Sequence, residues 1–176
     1  FCADLFKKKL NNFYINLSQL LNCEPDEISF ISNTTVGYNY LINSLKFKKN
    51  SNILIFENEY ESNLICLLRN KIKFRIVRCL ENGEIDYLDL KSKIDKDTCL
   101  VSLCHLSSHT GNLTSLHKIT EFIKKIKPEI FILVDVCQSV GQIEIDFKKI
   151  NCDAMVGSGR KYLRGPRGTG FLILNK

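Results

Sequence analysis

The stretch Asp153-Ala-Met-Val-Gly-Ser-Gly-Arg-Lys161 is a short apolar run that breaks into small residues just before a lysine. The sequence continues Tyr162-Leu-Arg-Gly-Pro-Arg-Gly-Thr-Gly-Phe-Leu-Ile-Leu174, in which a glycine-rich loop leads into a second apolar run. Short apolar runs bounded by glycine are typical of buried strands, so the pattern predicts strands over 153–156 and 169–174. Because the loop that carries Lys161 is too short for a crossover helix, we expect the last strand to run antiparallel to its neighbour.

Strand-like and helical patterns alternate along the rest of the chain. The sequence predicts further strands over 28–32, 53–56, 73–78, 99–104 and 130–135, and helices over 36–48, 61–71, 87–94 and 116–127, with a helical turn over 146–150. This alternation predicts an α/β fold, a three-layer sandwich around a seven-stranded, mainly parallel sheet whose last strand is antiparallel. The first helix is indicated by an apolar stripe that we expect to lie on the core, formed by Leu5, Phe6, Leu10, Phe13, Leu17, Leu20 and Leu21.

Size and composition indicate a folded globular protein. The chain has 176 residues, of which 44% are hydrophobic and 25% charged, so we expect a single domain over 1–176. The eight cysteines lack the two-residue spacing of zinc knuckles and redox motifs, which predicts small buried thiols in a reducing compartment, the cytoplasm. No apolar run approaches the ~20 residues that span a bilayer, so we expect no membrane partner. Because the chain begins with Phe1 and not methionine, the sequence leaves open whether an organellar targeting segment precedes it.

The formal charge of +6 raises the question of a nucleic-acid partner. The lysine clusters at 7–9, 46–49 and 124–127 lie within or at the end of helical patterns, where lysines usually solvate an exposed face or offset the helix dipole. We therefore expect no nucleic-acid partner. The histidines, His105, His109 and His117, lack further ligands at matching spacing, so we expect no metal site.

Polar clusters follow several predicted strands. They are Ser32-Asn-Thr-Thr35, Glu57-Asn-Glu-Tyr60, His105-Leu-Ser-Ser-His-Thr-Gly111 and Asp135-Val-Cys-Gln138, together with the segment that ends at Lys161. Ligands of open α/β sheets bind beyond the carboxyl ends of the strands. A lysine amine, an acidic group and a small phosphate-binding loop are what a pyridoxal phosphate (PLP) enzyme needs. The sequence therefore predicts a PLP site at this edge.

Each residue taken alone also has an ordinary structural interpretation. Thr34 and Thr35 are typical of helix capping, Asp135 could cap the next helix, and Lys161 could be a surface lysine. The phosphate loop of nucleotide-binding proteins and the dinucleotide-binding glycine fingerprint are both absent from the sequence. The small residues Gly157 and Gly159 are expected to leave room for a ligand.

Taken together, these segments resemble the large domain of class V aminotransferases, which belong to fold type I of the PLP-dependent enzymes and include cysteine desulfurases and related C–S lyases. The most specific runs are Val134-Asp-Val-Cys-Gln-Ser-Val-Gly-Gln142, Cys152-Asp-Ala-Met-Val-Gly-Ser-Gly-Arg-Lys161 and Gly165-Pro-Arg-Gly-Thr-Gly-Phe-Leu172. Weaker agreement extends through Phe30-Ile-Ser-Asn-Thr-Thr35, Glu59-Tyr-Glu-Ser-Asn63 and the segment from His105 to Gly111.

The resemblance implies a role for each matching residue. Lys161 would form the Schiff base with pyridoxal 5′-phosphate, Asp135 would bind the pyridinium nitrogen, and Gln138 would contact the ring hydroxyl. Tyr60 stands where many members have a histidine that stacks on the ring, and Ser108 where many have an asparagine. The phosphate would be held by Thr34, Thr35, Ser158 and Arg160.

The resemblance also implies the function. It predicts a PLP-dependent enzyme that acts on an amino-acid substrate, by transamination or by cysteine desulfurase or C–S lyase chemistry, and a homodimer. Family members are roughly twice as long and add a C-terminal small domain, so we expect this chain to be a truncated large domain that lacks it. The alternative function is a non-catalytic fragment or scaffold that keeps the fold.

Overall fold

The protein folds around one seven-stranded sheet, which the computed structural model describes over residues 2–176. The strands are β1 (Ile28–Ile31), β2 (Asn52–Phe56), β3 (Phe74–Val77), β4 (Thr98–Cys104), β5 (Phe131–Asp135), β6 (Ala154–Ser158) and β7 (Gly170–Leu174). The helices are α1 (Cys2–Leu21), α2 (Thr34–Ser44), α3 (Glu61–Arg69), α4 (Tyr87–Lys93), α5 (Leu116–Ile126) and α6 (Phe147–Ile150). One turn of 3₁₀ helix, Pro25–Glu27, precedes β1.

The strand order is β1-β7-β6-β5-β4-β2-β3, and β7 is antiparallel to both of its neighbours. The pairs β2–β3, β2–β4, β4–β5 and β5–β6 are parallel. The predicted mainly parallel sheet with an antiparallel last strand is therefore confirmed. Because β1 and β7 are also antiparallel, the carboxyl ends of β1, β2, β4, β5 and β6 all meet at one edge.

Two hydrophobic cores, one on each face of the sheet, confirm the three-layer sandwich. One core joins the sheet to α1, α4, α5 and α6, and the other joins it to α2 and α3. The central strands β5 and β6 are buried almost throughout, as expected for a parallel sheet covered on both faces. Burial on both faces also explains why their sequences are continuous apolar runs rather than alternating ones.

Helix α1 departs from the prediction that its whole apolar stripe lies on the core. Only Leu17, Ser18 and Leu21 are buried in this helix, whereas Leu5 and Phe6 are 50% and 68% exposed. The spacing of apolar residues reports that one face of a helix is apolar, but it does not report how far the rest of the fold extends along that face. In the described residues, the core reaches only the last turns of α1.

Strand β6 is longer than predicted and ends at Ser158, not at residue 156. Gly157 pairs with Phe171 of β7, and Ser158 pairs with Gly170. A Cβ atom at Gly157 would lie 2.3 Å from Cζ of Phe171. The expectation that Gly157 leaves room for a ligand is therefore wrong, because the Phe171 ring occupies that space.

No helix in the described part of the chain is both long and apolar enough to cross a membrane.

Candidate functional site

The loops at the carboxyl edge of the sheet enclose a pocket of about 550 Å³. Every residue predicted for the site lies on its wall, namely Thr34, Thr35, Tyr60, Ser108, Asp135, Gln138, Ser158, Arg160 and Lys161. These residues come from five separate loops, and the parallel strands bring them to one place. Their individual roles stay predictions.

The N-terminus of α2 forms one wall of this pocket. Asn33 caps the helix, because its side chain accepts a hydrogen bond from the Val36 amide, so the capping expected of Ser or Thr is performed by the asparagine. Thr34 is therefore free of a capping role, and its hydroxyl is buried without a hydrogen-bond partner. Unpaired amides at a helix N-terminus attract anions, and a buried unpaired hydroxyl beside them is a ready donor. This wall is suited to a phosphate.

Basic residues and a buried serine face the same pocket. Ser158 is 2% exposed at the end of β6, and Arg160 and Lys161 follow it directly. Arg167, in the glycine-rich loop that follows Lys161, also lies on the wall, and the sequence analysis missed it. Gly159 leaves room for Thr169 and not for a ligand, because a Cβ atom there would lie 2.3 Å from the Thr169 hydroxyl.

The Lys161 amine is held over an aromatic ring. Its Nζ atom lies 5.6 Å from the centroid of Tyr60, within the range of a cation–π interaction. Tyr60 stands at the N-cap position of α3, four residues after the end of β2. Lys161 is half-buried, so its amine is available to the pocket while its surroundings restrict its position.

Asp135 ends β5 inside the pocket and is only 4% exposed. No helix follows it, so it does not cap one; its Oδ1 atom accepts a hydrogen bond from the Cys137 amide at 2.8 Å. Burial is the main cause that raises the pKa of Asp135 to about 6, and the neighbouring Glu59 raises it further. The Cys137 amide, Asn63 and Lys161 act in the opposite direction. Asp135 is thus a carboxylate with an increased affinity for a proton.

A second buried carboxylate, Glu59, lies behind Asp135 and was missed as a site residue. The Asn63 amide nitrogen donates both to Glu59 Oε1 at 3.0 Å and to Asp135 Oδ2 at 3.1 Å. Glu59 also accepts hydrogen bonds from the Ser102 hydroxyl, the Cys104 thiol and the Tyr60 amide. A carboxylate and an amide four residues apart at the start of a helix were the signal in the sequence, but that signal does not reveal the third partner.

The wall also contains thiols. Cys104 and Cys137 line the pocket, and burial together with Glu59 and Asp135 raises the pKa of Cys104 well above its usual range. The Cys104 thiol therefore stays protonated and acts as a hydrogen-bond donor to Glu59. This thiol helps to hold Glu59 in place and does not act as a nucleophile.

His105 lies outside this pocket. Its Nδ1 atom is hydrogen-bonded to the Ser139 hydroxyl at 2.9 Å, and its side chain faces a different cavity near α5 and α6. His105 is therefore a buried, hydrogen-bonded histidine that does not line the pocket of the predicted cofactor site. Burial lowers the pKa of His105 to about 4, so the ring is neutral at physiological pH.

The described residues contain no group of three or more His, Cys, Asp or Glu side chains placed to hold a metal ion. The pocket at the carboxyl edge of the sheet offers the groups that a phosphorylated pyridine aldehyde requires. It combines an unpaired buried hydroxyl at a helix N-terminus for the phosphate, a buried carboxylate for a ring nitrogen and an amine for the aldehyde. The residues present therefore fit pyridoxal phosphate.

Comparisons with known proteins find a matching family and related sequences. The sequence model of a family described as "Aminotransferase class-V" matches residues 3–176. A probable cysteine desulfurase of Pyrococcus abyssi is 36% identical over 168 residues, which cover 91% of this chain and 41% of that protein. A probable cysteine desulfurase of Methanothermobacter thermautotrophicus is 30% identical over 168 residues, which cover 94% of this chain and 42% of that protein. The chain thus spans about two fifths of the length of these relatives.

A similar fold occurs in a solved structure of a C-DES mutant with glycine covalently linked to its PLP cofactor. The TM-score is 0.90 at 22% sequence identity, and the match covers 98% of this chain and 47% of that chain. At this level of identity the likeness concerns the fold, which is the seven-stranded sheet with helices on both faces.

Proposed function

Because this chain belongs to the class V aminotransferase family, we propose that it binds pyridoxal 5′-phosphate at the sheet edge and forms the cofactor-binding part of a cysteine desulfurase. The observation that carries the proposal is the convergence of Lys161, Asp135 and the unpaired Thr34 hydroxyl on one pocket. The choice of desulfurase rests on the similarity to the two probable cysteine desulfurases, which leaves transamination as the less supported reaction.

When bound, pyridoxal phosphate supplies a carbonyl that takes up amino groups and a ring that accepts an electron pair from the substrate. Lys161 Nζ would attach to that carbonyl. The same amine would also be the base that accepts the substrate Cα proton. Its position over the Tyr60 ring limits where that proton can be taken up.

The other residues bind and orient. Asp135 would accept a hydrogen bond from the protonated ring nitrogen, and its burial strengthens this charge-assisted contact. Thr34 would donate its buried hydroxyl to the phosphate, with the α2 amides, Ser158 and Arg160 beside it. Tyr60 would lie against the ring, and Gln138 would contact the ring hydroxyl.

The test is cofactor binding by the purified chain, compared with Lys161→Ala and with Lys118→Ala, a control that removes an exposed lysine of α5. We expect wild type and Lys118→Ala to develop a visible absorbance band with pyridoxal phosphate that borohydride removes. After reduction, the added mass should lie on the peptide that contains Lys161, and Lys161→Ala should show neither signal. Absence of the band in wild type, or attachment to another lysine, would contradict the proposal.

The reaction class is tested by products. With L-cysteine, pyridoxal phosphate and a dithiol reductant, a desulfurase forms alanine and sulfide, in amounts that match the cysteine consumed. Transamination would instead convert cysteine to its keto acid while pyridoxal phosphate takes up the amino group as pyridoxamine phosphate, and it would release no alanine. Formation of the keto acid without alanine would overturn the assignment as a desulfurase.

For the whole protein we further propose a homodimer in a reducing compartment, the cytoplasm. The free state of its cysteines supports the compartment, because all eight are free thiols. The exposed apolar side chains of α1, such as Phe6 at 68% exposure, support a further contact surface. Light scattering after size exclusion would measure the mass, and a monomer at all concentrations would contradict the homodimer.

A further inference from the structure

Asp135, which lines the pocket, belongs to a network of buried, hydrogen-bonded polar side chains. Behind it lie Asn63 at 1% exposure and Glu59 at 8% exposure, and behind Glu59 lies Ser102 at 1% exposure. The Ser102 hydroxyl donates to Glu59 Oε2 at 3.0 Å and accepts a hydrogen bond from the hydroxyl of the fully buried Tyr38 at 3.0 Å. Burying two carboxylates together is costly, and hydrogen bonds from Asn63, Ser102 and Cys104 offset part of that cost here.

We propose that Glu59 and Asn63 are a positioning pair for Asp135, which orients the Asp135 carboxylate and keeps a second negative charge behind it for a cationic ring nitrogen. The inference rests on the proposed function, because the ring nitrogen is that of the pyridoxal phosphate. Neither Glu59 nor Asn63 lines the pocket, so both act through Asp135.

Orientation follows from the donors and acceptors. The Asn63 amide group has two N–H bonds, and one points to each carboxylate. Glu59 acts as a hydrogen-bond acceptor, so it favours the orientation of the Asn63 amide in which Nδ2 faces Glu59. In that orientation Nδ2, and not Oδ1, also faces Asp135. Oδ1 of Asn63 remains buried without a partner, which is a cost that the two charged contacts offset. With the Cys137 amide on its other oxygen, Asp135 has a defined orientation before any ligand arrives.

Charge gives the pair its second effect. The charged groups that act on Asp135 are Glu59 and Lys161, while the neighbouring Cys104 thiol stays protonated. Glu59 raises the proton affinity of Asp135, and Asn63 lowers it by hydrogen bonding to the carboxylate. The two members of the pair thus act in opposite directions on one measurable quantity, which a merely structural role would not do.

The decisive variant is Glu59→Gln, which removes the charge and keeps the shape. A glutamine oxygen can still accept from Asn63, and its amide can donate to Ser102, whose hydroxyl is free to rotate. Asn63→Ala removes the bridge instead. Glu61→Gln is the matched control, because Glu61 lies two positions further on, is 60% exposed in its side chain and pairs with His109.

The first measurement is the titration of Asp135 by carbon NMR in the full chain without cofactor, with the signal assigned from Asp135→Asn. We expect a pKa of about 6 in wild type, a lower value in Glu59→Gln, a higher value in Asn63→Ala and no change in Glu61→Gln. Unchanged values in both test variants, or shifts in the same direction, would overturn the inference. Should one of the two variants not fold, the direction of the shift in the other decides.

The second measurement is the affinity for pyridoxamine 5′-phosphate, which cannot attach to Lys161, and for its analogue with CH in place of the ring nitrogen. Glu59→Gln should weaken the first ligand about tenfold and leave the second unchanged, because only the first presents a ring nitrogen to Asp135. Equal losses for both ligands would overturn the inference. If wild type binds neither, the proposed function fails, while the titration of Asp135 still decides whether the pair acts on it.

Discussion

Gly157→Ala tests where the space around the lysine-bearing strand is used. A Cβ atom at this position would lie 2.3 Å from Cζ and 2.5 Å from Cε1 of Phe171. Carbon atoms in ordinary contact are about 3.5–4.0 Å apart, so the ring has to move by roughly 1.2 Å or more. Phe171 is 1% exposed and packed within the core on that face of the sheet, so a shift of the ring disturbs its packed neighbours.

The magnitude follows from two opposing effects. Overpacking of a closed core costs about 1–3 kcal/mol, whereas alanine in a strand is about 0.5–1 kcal/mol better than glycine. The clash is the larger effect, so the free energy of unfolding should fall by about 1–2 kcal/mol. For a chain of this size, that corresponds to a decrease of about 2–8 °C in Tm.

The assay is urea unfolding of the chain without cofactor, for wild type, Gly157→Ala, Phe171→Leu and the double variant. Because leucine removes the far end of the ring, the double variant should lose less stability than the sum of the two single variants, by about 1 kcal/mol. If Gly157 served a ligand, Gly157→Ala would leave the stability of the apoprotein unchanged and weaken only cofactor binding. That outcome, or strictly additive losses, would refute the packing argument.

Two further predictions concern single side chains. Thr34→Val should leave the free energy of unfolding of the apoprotein nearly unchanged, because the buried hydroxyl makes no hydrogen bond there, but should weaken pyridoxal phosphate binding about tenfold; equal binding by both proteins in equilibrium dialysis would contradict the assignment of Thr34 to the phosphate. His105 has its pKa lowered to about 4 by burial, so it stabilises the fold at neutral pH and this contribution is lost as the pH falls from about 6.5 towards 4. Relative to His105→Gln, wild type should lose about 3 kcal/mol between pH 7 and pH 4, and parallel pH profiles of the two proteins would show that the ring is not buried in its neutral form.

Much of the fold was predictable because the signals are local. Short apolar runs mark β5, β6 and β7, with glycine bounding the last two, and the apolar spacing of three and four residues marks α5, so their type and order could be read directly. The edge at which polar residues meet was also predictable, since parallel strands carry their carboxyl ends to the same side. This is why the residues chosen from five loops line one pocket.

The boundaries and exposures that depend on neighbours were less predictable. Helix α1 has its apolar stripe in the sequence, but the extent of its contact with the core depends on elements far along the chain. A glycine at position 157 could leave room either for a ligand or for a neighbouring side chain. Only the position of Phe171 on the paired strand β7 decides between the two.

The α/β class, the order of the elements, the candidate lysine and its carboxylate, and the family to which they belong could be read from the chain, because each depends on residues close in sequence or on a short motif. The position of Glu59 and Asn63 behind Asp135 became visible only in the folded protein. Asn63 and Asp135 are 72 residues apart. Asn63 lies in α3, which follows β2, and Asp135 ends β5; strand β4, which lies between β2 and β5 in the sheet, brings the Ser102 and Cys104 donors to Glu59. Such a network depends on strand order and register, which are set by the packing of the whole sheet and leave no local pattern in the chain.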